Sequence, residues 1–322
     1  MNILFKFDQS PFIGLGHYYR CVALSSVFKK KKHKCFFLGL KPGIVKKNKI
    51  SKDNEKKDLI FTTNFIKKNK INILIKDIYS LGSDWEYKIS KKTFLVVVDD
   101  YNNVKHFCHI YINYHLNWFK KKNFKNLLFN RCKKLIGPKF TILRNFENLK
   151  KFNFKKKAIF IYMGGADKNG FMKKLSRFFL DLKFNQFIKI FLLNNNHLKD
   201  KSLIKNLIKM KNVKVLKNKI KEFHKYIISS NMVISAAGLT MLEQISLNAR
   251  SLIIPQNFIQ KKTATELYKA KLISVLSNIN NLNASHIFRN LKKENPPKKV
   301  INRKGKEIIY KEIMSSFKYK FK

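Results

Sequence analysis

Twice in this chain a short apolar run ends in a glycine turn and passes directly into a helix-length stretch. The first instance is NILFKFDQSPFIGLGHYYRCVALSSVF, where Asn2 to Phe7 reads as a strand, Gly14-Leu15-Gly16-His17 as the turn, and a helix follows from about Tyr18. The second is KAIFIYMGGADKNGF, with Ile159 to Met163 apolar and Gly164-Gly165 at the turn. A strand-turn-helix opening puts its turn at the carboxyl edge of a parallel sheet, where open α/β proteins take their ligands. Two such openings, about half the chain apart, limit the fold to paired α/β units.

The strands between them agree. Continuous apolar runs, the pattern of parallel strands buried on both faces, occur at Cys35 to Leu40, Ile71 to Asp77, Phe94 to Val98, His109 to Asn113 and Leu135 to Leu143. After a charged linker between Arg144 and Lys157 they resume at Ile188 to Leu193, Val213 to Leu216, Met232 to Ser235 and Ser251 to Ile254, with helices such as Phe171 to Leu182 and Leu203 to Lys209 between. The expected architecture is α/β: two Rossmann-like, doubly wound domains, residues 1–147 and 148–322, with a ligand cleft between them. The second would carry a basic helical tail from about Gly305 to Phe317.

Composition narrows the class. A 45% apolar content with 29 Phe among 322 residues excludes a disordered chain. The formal charge of +50 invites a nucleic-acid reading, but the lysines are spread along the whole length beside abundant Asn, Ile and Phe. That pattern reads as a solvated surface with coding bias, and no specific nucleic-acid partner is expected. No run is long enough for a membrane span and no signal peptide is recognised, so a cytoplasmic location is expected. Cys21, Cys35, Cys108 and Cys132 lack paired spacing and read as reduced thiols. His106, His109 and His115 lack acidic or cysteine companions at a ligand spacing, so neither a metal nor another cofactor is expected.

Three turns carry the candidate chemistry. His17 stands at a helix start behind glycines that let a ligand approach the main chain. Gly164-Gly165 offers N–H groups suited to an anion. In ISAAGLTMLEQISL a strand gives way at Ala236-Ala237-Gly238 to a helix from Leu239, whose unpaired N–H groups suit phosphate; Glu243, one turn on, is placed to accept from a ribose. Asp99 and Asp100, adjacent at a strand end, should face opposite ways.

An ordered set of motifs then resembles a known family. Gly14-x-Gly16-His17-x-x-Arg20, Asp77-x-Tyr79, Val98-Asp99-Asp100, Gly137-Pro138 leading to Leu143-Arg144, Met163-Gly164-Gly165-x-Asp167 and Ser235-Ala236-x-Gly238-x-x-x-x-Glu243 follow the order of the UDP-sugar hydrolases of pseudaminic acid synthesis. These PseG/SpsG-like proteins are relatives of MurG-type glycosyltransferases with the GT-B fold. The resemblance implies hydrolysis of UDP-2,4-diacetamido-2,4,6-trideoxy-β-L-altropyranose to free sugar and UDP without a metal. By that likeness His17 is the base that activates water, and Asp8, Gly16, Arg20, Tyr79 and Gln260 lie on the sugar side. Gly164, Gly165, Gly238, Leu239 and Glu243 would hold UDP. Departures from the family pattern are Lys6 for an arginine, Ile78 for the histidine of Asp-His-Tyr, and Ile259-Gln260 for an Asn-Gln pair; all three are expected on the sugar side. The alternatives are inverting UDP-sugar glycosyl transfer on the same fold and, from another class, non-catalytic polyanion or RNA binding.

Overall fold

A computed structural model describes residues 1–8, 16–40, 45–46, 49–100, 104–115, 132–146, 149–154, 157–165, 167, 169–181, 188–194, 198–216, 222–292 and 301–320. Gly14 and Leu15 of the opening turn lie outside the described residues. The chain divides into two units, Met1–Arg144 with Asn302–Lys322, and Asn145–Ile301.

In the first unit the elements are β1 (Asn2–Phe7), α1 (Gly16–Lys30), β2 (Lys34–Gly39), a small antiparallel ribbon β3 (Val45–Lys46) and β4 (Lys49–Ile50), α2 (Lys52–Lys68), β5 (Ile73–Asp77), α3 (Ser83–Ser90), β6 (Phe94–Val98), β7 (Ile110–Asn113) and β8 (Lys133–Ile136). Its main sheet is parallel in the order β2-β1-β5-β6-β7-β8. β1 feeds β2 on one side and β5 takes the other, so the order reverses between β1 and β5. Ligands of open α/β sheets bind outside the carboxyl ends of strands at such a reversal.

The second unit repeats the plan with β9 (Lys157–Tyr162), α4 (Phe171–Asp181), β10 (Ile188–Leu193), α5 (Lys201–Lys209), β11 (Val213–Leu216), α6 (Phe223–Ser229), β12 (Met232–Ser235), α7 (Leu239–Ser246), β13 (Ser251–Ile253), α8 (Phe258–Lys269), β14 (Ser274–Val275) and α9 (Ala284–Lys292). Its parallel order is β11-β10-β9-β12-β13-β14, with the reversal between β9 and β12.

Both cores follow from strand alternation. Leu4, Leu74, Leu95 and Val97 pack with Ile66 of α2 and Trp85 and Ile89 of α3 on one face of the first sheet, while Phe5 meets Phe28 of α1 edge-on at 5.9 Å on the other. In the second, Ile159, Ile161, Ile190 and Ile234 pack with Met172, Leu175 and Phe179 of α4, and Phe160, Phe191 and Val233 pack with Phe223 and Ile227 of α6.

The structure corrects three sequence expectations. β8 stops at Ile136 instead of running to Leu143: Gly137 takes φ 104°, Pro138 has no N–H for a ladder, and Pro138–Phe140 forms a 3-10 turn. The terminal helix α10 (Gly305–Lys320) belongs to the first unit rather than the second. Ile309 and Ile313 are fully buried, Tyr310 meets Phe28 at 5.0 Å, Phe317 meets Phe94 at 5.6 Å, and Glu312 pairs with Lys133 at 2.6 Å. Gly305 makes this docking possible, since a Cβ there would stand 2.2 Å from the Thr141 carbonyl oxygen. Finally, not every lysine is solvated. Lys6 and Lys76 are register neighbours on β1 and β5, both fully buried, and each is met by a carboxylate from a covering helix: Asp58 at 2.8 Å and Glu86 at 2.5 Å. Buried charge survives only with such partners.

Among the described residues no helix is long and apolar enough to cross a membrane.

Candidate active site

At the reversal point of the first sheet a cluster of charged side chains converges. Helix α1 begins at Gly16, two residues earlier than the sequence suggests, so His17 occupies its first turn and Arg20 lies one turn on. Asp77 is the last residue of β5 and points to the α1 side. His17 Nδ1 stands 2.6 Å from Asp77 Oδ1 and 3.1 Å from the Asp77 carbonyl oxygen. Arg20 grips the same carboxylate as a fork, Nε to Oδ2 at 2.9 Å and NH2 to Oδ1 at 2.6 Å. Its remaining nitrogen, NH1, donates to Asp100 Oδ2 and to the Tyr114 hydroxyl. Tyr79 closes the group, its hydroxyl donating to Asp100 at 2.8 Å and its ring edge-on to His17 at 4.7 Å.

This arrangement fixes the imidazole tautomer. Two of the three polar atoms around Nδ1 are acceptors; the third, Arg20 NH2 at 3.0 Å, is a donor. An N–H can donate to the first two and not to the third, so the proton sits on Nδ1 and the guanidinium hydrogen goes to Asp77. In the neutral ring the other nitrogen, Nε2, carries the lone pair, and among the described residues nothing hydrogen-bonds it. A histidine whose Nδ1–H is held by a carboxylate is the orientation that general bases use.

The surroundings hold the charges in place. Burial opposes a charged Arg20, but Asp100 and then Asp77 outweigh it and keep the guanidinium well above its ordinary value. Burial would likewise raise Asp100; Arg20, followed by His115, holds its carboxyl far below the usual range instead. The Tyr79 hydroxyl is pushed well up by burial and then by Asp100, so it stays protonated and serves as a donor.

Behind this cluster lies a second buried network. Glu86 accepts from Lys76, from His106 Nδ1 at 2.9 Å and from the Phe107 N–H at 2.8 Å, while Tyr111 donates to Asp99 at 3.0 Å. Burial works against charge on His106, but hydrogen bonds to Asp99 and Glu86 raise it to about 9. Asp99 and Asp100 therefore do face opposite ways, one to each network. Two of the three family departures fall in the core: Lys6 bonds Asp58, and Ile78, 2% exposed, packs with Trp85 and Leu81. His109 stacks on Phe94 and accepts from the Leu95 N–H, and His115 turns to Asp100. No cluster able to hold a metal occurs among the described residues.

The second unit offers a different surface at its reversal point. Gly164 adopts φ +83°, a conformation L residues avoid, with open space where a Cβ would be. Gly165 follows, exposed. Asp167 anchors this turn by accepting from the N–H groups of Phe171 and Met172, at 2.9 and 2.8 Å. Gln256 ties it to the start of α8, donating to the Met163 carbonyl at 2.9 Å. Gln260 is used locally, its Oε1 accepting from the Gln256 N–H at 2.9 Å. Across the reversal, α7 starts at Leu239 after Gly238, which brings no side-chain cap and has open space around it. The first N–H groups of a helix have no partner of their own, so this end presents donors and a partial positive charge. Glu243 is fully buried, with His224 Nε2 3.4 Å from its carboxylate.

The structure brings His17, Arg20 and Tyr79 into one group and gives them partners that the sequence does not single out, Asp77, Asp100 and Tyr114, with His224 beside Glu243. Asp77 was visible as a polar residue closing an apolar strand. Tyr114 and His224 gave no local signal.

No family model matches the chain. It is 27% identical over 280 residues, 84% of its length and 97% of the relative's, to a UDP-2,4-diacetamido-2,4,6-trideoxy-beta-L-altropyranose hydrolase of Campylobacter jejuni. Among solved structures, a MurG of Acinetobacter baumannii matches with TM-score 0.65 at 10% identity, over 98% of this chain and all of that one. A UDP-GlcNAc 2-epimerase of Neisseria meningitidis, solved bound to UDP-GlcNAc, matches with TM-score 0.60 at 14% identity over 98% and 100%. The fold is thus the α/β, GT-B-like one expected, and the family resemblance extends over most of the sequence.

Proposed function

We propose that this chain, related over most of its length to a UDP-2,4-diacetamido-2,4,6-trideoxy-beta-L-altropyranose hydrolase, is an enzyme that hydrolyses a UDP-linked diacetamido-trideoxy sugar to free sugar and UDP. His17 Nε2 takes a proton from water; the water oxygen bonds to C1 of the sugar as the bond from C1 to the diphosphate oxygen breaks, and UDP leaves with the electron pair. General-base catalysis needs a lone pair within reach of the water proton, and an imidazole held through Nδ1–H keeps that pair on Nε2 in its neutral form.

The observation that carries this reading is the pairing of His17 Nδ1 with Asp77 at 2.6 Å, which leaves Nε2 as the base. The uncapped start of α7 and the Gly164-Gly165 turn support a site for the departing diphosphate, whose charge backbone N–H groups stabilise without rearranging. Glu243 and the ribose would then meet only after the carboxylate is uncovered. Asp8, Gly16, Arg20, Tyr79 and Gln260 remain assigned to the sugar side. Free sugar of this class would feed nonulosonic, that is pseudaminic, acid synthesis, a cytoplasmic role.

Inverting glycosyl transfer is the second reading, favoured by the likeness to MurG. Incubation with the UDP-sugar in 18O-water, with no acceptor, separates the two. Hydrolysis at C1 gives stoichiometric free sugar carrying one solvent oxygen and unlabelled UDP. Label in UDP, or no release until an acceptor is added, overturns it.

A further inference from the structure

We propose that Arg20 is the positioning residue that keeps the His17 imidazole neutral, by spending its fork on Asp77 and its third nitrogen on Asp100. This deepens the hydrolase reading and rests on it for the role of Nε2.

A carboxylate 2.6 Å from Nδ1 orients a histidine, but it also favours the imidazolium, in which Nε2 carries a proton and cannot act as a base. Two carboxylates converge here, so the hazard is doubled. The ionisable groups facing His17 are Asp77 from the end of β5, Tyr79 just beyond it, Arg20 from its own helix, and, through Arg20, Asp100 from the end of β6 and Tyr114 from the end of β7, while Cys21 feels Asp77 and Arg20. Asp8, beyond β1, donates its N–H to the Asp77 carbonyl, and His115 stands 3.5 Å from Asp100. Arg20 alone among these is permanently cationic. Its bonds to both oxygens of Asp77 leave the carboxylate able to accept from Nδ1–H while cancelling most of its field at the ring. Asp100 acts in the opposite sense: its charge is felt at His17, and it draws NH1 away from Asp77. The guanidinium therefore sets a balance between orienting the ring and charging it.

Two variants of opposite sign test this. Arg20→Gln removes the cation, and the acid limb of the kcat profile should move up by about one pH unit or more. Asp100→Asn removes an anion, and the limb should move down. Arg20→Lys, which restores charge without the fork, should return the limb toward the wild-type position while kcat stays low. The same three shifts should appear in the NMR titration of the His17 ring, identified by its loss in His17→Asn, which needs no substrate and so reports even if the chain proves not to hydrolyse UDP-sugars. Arg20→Gln or Asp100→Asn profiles that fall evenly at all pH values, with unmoved ring titrations in both, would reduce Arg20 to a structural tie and overturn the proposal. Should Arg20→Gln fail to fold, a limb or titration in Asp100→Asn that moves up or stays still would overturn it equally.

Discussion

The two sheets reverse strand order at equivalent places, between β1 and β5 in one unit and between β9 and β12 in the other, yet what stands there is opposite in kind. The first unit fills its reversal point with side-chain charge: His17, Arg20, Asp77 and Asp100, all tied to one another. The second leaves it to the backbone, with two glycines that have open space around them and a helix without a side-chain cap. A parallel sheet gives both units the same opportunity, and the side chains decide its use. On the proposed reading, one unit holds and moves a proton and the other receives an anion.

The sharpest way to break that contrast is Asp77→Asn. The amide keeps the shape but can offer Nδ1 either a donor or an acceptor, so the ring loses its fixed tautomer. Turnover should fall by about 10²- to 10⁴-fold, with UDP affinity, measured by calorimetry, unchanged. Loss of UDP affinity in step would mean that the two units are not divided in labour as described.

Stability should also separate them. In the folded first unit His106 titrates at about 9, against roughly 6.5 for an unfolded histidine. A raised value means its contribution is complete below the unfolded value and is lost as pH rises toward the folded one, by at most about 3 kcal/mol. Thermal unfolding of the full chain should therefore weaken between pH 6.5 and 9, and His106→Gln should flatten that slope. An equal slope in the variant would remove His106 as the cause.

Two smaller effects sharpen the second half. Gly238→Asp puts a carboxylate at the start of α7, where a Cβ meets nothing within 4 Å. UDP binding should weaken on the order of tenfold through repulsion at the helix end, while capping raises stability by roughly 1 kcal/mol. Binding and stability falling together would contradict the anion site. Asp167→Ala removes both acceptors at the start of α4, and should cost about 1 kcal/mol, read as a drop of a few degrees in Tm, with little effect on the first unit.

Much of the architecture was legible because parallel strands buried on both faces write themselves as unbroken apolar runs; Phe94 to Val98 and Ile188 to Leu193 match the structure end for end. The partners of His17 were not, because Arg20 reaches Asp77 across 57 residues and Asp100 across 80, and no local pattern encodes which strand ends meet. The destination of α10 was hidden for the same reason: proximity in sequence suggested the second unit, while the complementary surface, around Phe28, Phe94 and Thr141, lies in the first. Lys6 and Lys76 were masked by abundance, since in a lysine-rich chain nothing in the sequence distinguishes two buried lysines from their solvated neighbours. The family departures illustrate the limit most clearly. Lys6 and Ile78 sit within two residues of Asp8 and Asp77, yet Lys6 is bound by Asp58 of α2 and Ile78 packs with Trp85 and Leu81.

The central claim, that the first unit supplies the proton acceptor and the second holds the nucleotide, is tested most directly in His17→Asn. With UDP-2,4-diacetamido-2,4,6-trideoxy-β-L-altropyranose as substrate, release of UDP should drop at least about 10²-fold while the Kd for UDP stays at the wild-type value. Wild-type turnover in the folded variant would contradict the account.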